Sequence, residues 1–81
     1  MFENAIYEVA SEMYEVESVE SVIDNRAVVN FYSHSRKTRY PYAFYLGDDG
    51  VSVIIQPMAN GPYLSAGAPR IFAKRVREKL T

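Results

Sequence analysis

Residues 27–58 constrain the fold more than any other stretch, because they hold three consecutive strand-like runs and the turns that join them. The runs are residues 27–33, 40–46 and 51–56. They are rich in Val, Ile, Phe and Tyr, which suit a pleated, half-buried surface. Gly47-Asp48-Asp49-Gly50 separates the last two. Glycine adopts positive φ freely and aspartate tolerates it, so this segment reads as a hairpin turn. Pro41 has no N–H to give to a ladder and belongs at a strand start or a sheet edge.

Side chains alternate across a strand. One face of the expected sheet collects Val29, Phe31, Tyr42, Phe44, Leu46, Val51, Val53 and Ile55, and is the core face. The other collects Val28, Asn30, Tyr32, His34, Ala43, Tyr45, Ser52, Ile54 and Gln56. That mixture of polar and aromatic groups suits an antiparallel sheet with one side in water.

Helical periodicity flanks the strands. Phe2, Ile6, Val9, Met13 and Val16 recur at spacings of four and three, the stripe of an amphipathic helix. The stripe loses phase at Glu20, so the helix is expected to end or kink between Val16 and Ser21. Glu17-Ser18-Val19 and Glu20-Ser21-Val22 echo one another, but two triplets do not make a repeat architecture. A rival reading makes residues 19–23 a strand, with Asp24-Asn25 as a tight turn. The valines there do not alternate, and three strands are preferred. At the other end, Pro69 suits the first turn of a helix, and Phe72, Ala73, Val76 and Leu80 form its apolar side. Arg70, Lys74 and Arg77 line the opposite side.

The expected fold is therefore α+β, with element order α-β-β-β-α: a three-stranded antiparallel sheet with two helices packed on one face. The 81 residues suffice for one small domain. This order is similar to that of double-stranded-RNA-binding domains, which also close with a helix bearing cations near its start. The likeness is one of topology. The Gly61-Pro62 pair follows the third strand, Arg70 and Lys74 stand apart, and the first helix is acidic, so no functional residue is carried over from that family.

Charge is segregated along the chain. Residues 1–25 hold seven acids and no Lys or Arg, whereas residues 26–81 hold nine bases against three acids, for a net charge of −1. Such asymmetry points to a charged partner, or to acidic and basic faces that attract each other within the fold. Cysteine is absent, which removes disulfides and thiolate ligands and fits a cytoplasmic protein. No apolar run reaches the roughly 18 residues of a membrane span, so no membrane partner is expected. The N-terminus lacks the basic-then-apolar pattern of a secretory signal.

The candidate sites follow from this charge pattern. Arg36, Lys37 and Arg39 sit on the connection between the first two runs, where cations contact phosphate readily. Tyr32 and Tyr45 share the open face and offer rings on which bases stack. Arg70 and Lys74 add cations on the closing helix. The leading expectation is a non-enzymatic binding protein that recognises nucleic acid or a nucleotide-like anion through these residues. The plainer reading pairs the loop arginines with the acidic helix. The alternative function is a protein-binding inhibitor or adaptor for a basic partner, using Glu8, Glu12, Glu15 and Tyr14 of the first helix. Residues 60–67, leading into Arg70, form a candidate anion cradle, but they match no phosphate-binding glycine motif and read more simply as a surface loop. His34 is the only histidine, and no second group stands ready for acid–base or metal chemistry. No enzyme, cofactor or metal is expected.

Overall fold

The computed structural model describes residues 1–58 and 67–81. The elements run α1 (Phe2–Glu12), β1 (Val16–Ile23), β2 (Arg26–Ser33), β3 (Thr38–Leu46), β4 (Val53–Pro57) and α2 (Ala68–Leu80). The four strands form one antiparallel meander in the order β1-β2-β3-β4. The α+β class, the antiparallel sheet and the two helices match expectation. The strand count does not, and with four strands the element order departs from that of double-stranded-RNA-binding domains.

The extra strand is the Glu-Ser-Val echo. Val16, Val19 and Val22 oppose Phe31, Val29 and Ala27, while Ser18 and Ser21 oppose Asn30 and Val28. Glu17 and Glu20 have no opposite number, because the register shifts between Val16 and Ser18 and again between Val19 and Ser21. Each shift is a β-bulge, in which two residues of one strand face one of its partner. Two bulges in tandem set three residues of β1 against two of β2. All three valines thus pack against the core despite a spacing of three. A spacing of three mimics a helical stripe, which is why Val16 reads as a continuation of α1 in the sequence. The helix actually stops at Glu12, and Met13 is extended, with φ −109° and ψ 121°.

The core lies between the sheet and both helices. Phe2, Ala5, Ile6 and Val9 of α1 and Phe72, Ala73 and Val76 of α2 join Val29, Phe31, Tyr42, Phe44 and Val53 in one buried cluster. The rings of Phe31, Phe44 and Phe72 meet at centroid distances of 4.8–6.0 Å. Pro69 starts α2 as expected, and Arg70, Lys74 and Arg77 remain exposed. Lys79 ties the helices together, its Nζ lying 2.7 Å from Glu8 and 3.1 Å from Glu12. Glu12 closes a helix whose C-terminal dipole disfavours an anion, and Lys79 offsets that charge.

The turns follow their local chemistry. Asp24, between β1 and β2, has φ 55°. Between β3 and β4, the Asp49 carboxylate accepts the N–H of Val51 (3.0 Å) and of Ser52 (2.8 Å), and Gly50 has φ 77°.

Candidate functional site

The β2–β3 loop is held open at its tip by its own hydrogen bonds. Arg36 N–H donates to Ser33 Oγ (3.3 Å), Thr38 Oγ1 donates to the Arg36 carbonyl (2.9 Å), and Lys37 takes φ 53°. His34, Ser35, Arg36 and Lys37 are all exposed. Arg36 and Lys37 enter no ion pair among the described residues.

A three-ring cluster is built around His34, two residues before Arg36 in the chain. Tyr14 stacks on His34, with centroids 4.8 Å apart and planes 19° apart, and Tyr32 meets His34 edge-on at 4.9 Å. Tyr14 comes from the turn between α1 and β1. That turn is closed by Val16 N–H on the Met13 carbonyl (3.2 Å), and Tyr32 N–H bonds the Glu15 carbonyl (2.9 Å), which fixes it against β2. Tyr14 is 79% exposed, so its outer ring face is open to a ligand.

Arg39 is engaged within the fold. Its guanidinium donates to the Glu17 carboxylate and forms an ion pair with it across β2. The hydrogen bond and then the charge of Glu17 hold Arg39 above its ordinary pKa, with Glu20 adding to the effect. The bulges explain this arrangement: an extra residue shares the direction of its neighbour, so Glu17 and Glu20 turn to the open face with Ser18 and Ser21.

The expected site residues do not all converge. Tyr32 pairs in register with Arg39, whereas Tyr45 pairs with Arg26 six residues along β2. The two tyrosines thus sit at opposite ends of the open face, about 20 Å apart. Tyr45 is occupied by Arg26, whose Nε donates to the Tyr45 hydroxyl (3.0 Å) and whose guanidinium lies 5.6 Å from the ring centroid. Arg26 also reaches Met58 Sδ at 3.9 Å. Lys74 lines a shallow cleft with Val51, Arg77, Glu78 and Thr81, at the β3–β4 end of the sheet, and Arg70 stands one turn before it on α2. Neither joins the β2–β3 loop.

The acidic surface expected on the first helix is also divided. Glu8 and Glu12 share Lys79, while Tyr14 and Glu15 lie beyond the end of α1. The candidate cradle at residues 60–67 lies, apart from Gly67, outside the described residues. Among the described residues no three His, Asp or Glu side chains gather as a metal site, and no helix is long and apolar enough to cross a membrane. Sequence reasoning missed Arg26 as the partner of Tyr45 and the acids of the two bulges. The tandem Glu-Ser-Val echo was the signal for the latter.

Compared with known protein families, curated proteins and solved structures, the chain matches none.

Proposed function

We propose that this protein is a non-enzymatic binding module for short single-stranded nucleic acid, held at the β2–β3 end of the sheet. The observation that carries this reading is the Tyr14–His34–Tyr32 cluster, exposed at Tyr14 and His34 and half-buried at Tyr32, which in the chain directly precedes Arg36 and Lys37, two cations that enter no ion pair among the described residues. A base stacks on the free face of Tyr14 while the adjoining phosphates meet the two cations. Glu15, Glu17 and Glu20 lie on the β1 side and repel a backbone that runs that way, so the footprint is short. Contact with a basic protein through the acidic helix is the weaker reading, because Glu8 and Glu12 already bind Lys79.

The test is a fluorescence-anisotropy titration with short single-stranded and duplex oligonucleotides at two salt concentrations. Two phosphate contacts give a log–log salt slope near −1.4 on single strands. Tyr14→Ala should weaken binding about tenfold without changing that slope, as loss of one stacked base would. Arg36→Ala with Lys37→Ala should abolish the slope. Absence of binding by the wild type at low salt, or equal binding by both variants, would overturn the proposal.

A further inference from the structure

The face of the sheet turned away from the helices carries a pattern that one copy of the chain does not use. One cross-strand row on it reads Ile23, Arg26, Tyr45, Ile54, one residue from each strand in register. Its two outer members, Ile23 and Ile54, are 67% and 58% exposed, and Met58 nearby is 46% exposed. Behind the row lies a floor of small or buried groups, Ser21, Val28 and Ala43. Two charges on this face also form no ion pair among the described residues, although Glu20 feels Arg39 at longer range. Arg26 is held by the Tyr45 hydroxyl and ring and by Met58, with no carboxylate in contact, and Glu20 enters no ion pair among the described residues.

We propose that this face is a homodimer interface, in which two copies pack sheet on sheet about a two-fold axis parallel to the strands. That rotation lays β1 of one copy over the β3–β4 side of the other. The cross-strand row then meets itself in reverse: Ile23 faces Ile54 of the second copy, and the Arg26 and Tyr45 positions face each other. Glu20, on β1 near Val28, comes over the Arg26 guanidinium of the second copy, which leans across Tyr45 towards Met58. The Glu20–Arg26 ion pair, which one copy does not make, then forms twice, once on each side of the axis, as an isologous contact requires. The other in-plane two-fold, perpendicular to the strands, sets β1, with Glu17 and Glu20 on this face, over β1 of the second copy, and is disfavoured by like charge. Four strands about 4.8 Å apart and about six residues long offer a face about 20 Å square. The area buried falls at the low end for specific interfaces, so the dimer is weak and reversible. The Tyr14–His34 cluster lies at one end of this face, and the inference does not depend on what that cluster binds.

Sedimentation equilibrium from low micromolar to half-millimolar protein tests the proposal, with circular dichroism confirming that each variant is folded. The wild type is expected to show a monomer–dimer equilibrium within that range. Ile54→Lys, which leaves the core untouched, and Glu20→Arg should each be monomeric throughout. Arg26→Glu should also be monomeric, and an equimolar mixture of Glu20→Arg with Arg26→Glu should recover the dimer, since one of the two charge pairs is then the native one and the other is restored in reverse. A wild type that stays monomeric, one that associates without limit, or a dimer untouched by Ile54→Lys and Glu20→Arg would each overturn the proposal. If Arg26→Glu fails to fold, the Ile54→Lys and Glu20→Arg results decide the matter alone.

Discussion

Glu17 on β1 accepts the guanidinium of Arg39 on β3, so a single ion pair spans the intervening strand β2 on the open face. This contact withholds one of the three loop-end cations from any ligand. Glu17→Gln releases it. Binding of a single-stranded oligonucleotide is then expected to tighten at low salt, with the salt slope steeper by up to about 0.7, one further phosphate contact. Anisotropy titrations at several salt concentrations measure this directly, and an unchanged slope would show that Arg39 does not reach the ligand.

Phe72 anchors α2 by meeting Phe44 at 4.8 Å and Phe31 at 5.6 Å while itself fully buried. Truncation to alanine removes a ring that the surrounding helix and sheet cannot fill. Phe72→Ala is expected to cost roughly 3–5 kcal/mol in urea denaturation. A loss below about 1 kcal/mol would mean that α2 does not depend on this contact.

Much of this core was legible in the sequence, because its residues obey simple periods. The alternation in residues 27–33 and 40–46 assigns both faces of β2 and β3 correctly, and Phe72 and Val76 fall on the buried side of α2. Ile6 and Val9 do the same for α1. The first strand was hidden because its valines follow a period of three, which belongs to neither a regular strand nor a straight helix. The site was legible only in its parts. Local sequence places Arg36 and Lys37 at a turn, but the stack of Tyr14 on His34 joins segments twenty residues apart. The separation of Tyr32 from Tyr45 depends on register, which residue type alone does not give.

The double bulge makes a prediction that a helical β1 does not. Deleting Glu20 removes one extra residue and leaves Val19, Ser21, Val22 and Ile23 in simple alternation, every valine still facing inward. The variant is expected to stay within about 1 kcal/mol of the wild type, because no core contact is lost. Deleting Val19 instead withdraws a core contact and should destabilise more. Parallel urea titrations of the two deletions decide the point, and the reverse ranking would be inconsistent with the register described.

Asp49 gives the β3–β4 turn a pH dependence. The Ser52 hydroxyl, then the Ser52 and Val51 N–H groups, bond its carboxylate and hold its pKa down from the ordinary 3.8 to about 2. The folded value lies below the unfolded one. The turn's stabilisation is therefore complete above about pH 4 and is lost as pH falls through about 2. A carboxyl-carbon NMR titration should place the Asp49 midpoint near 2, and Asp49→Asn should remove this part of the acid limb of the stability curve. A midpoint at the ordinary value would show that the turn does not hold the carboxylate.

The tandem bulges also give β1 the character of a vernier scale, with three divisions read against two on β2. On such a scale, a whole Glu-Ser-Val triplet gained or lost on one strand is matched by two residues on the other, and every inward residue keeps its direction. A single-residue change inside a triplet can likewise be absorbed by the bulge itself. The length of this edge can therefore drift in steps that would turn an ordinary strand inside out, while the core beneath it stays the same.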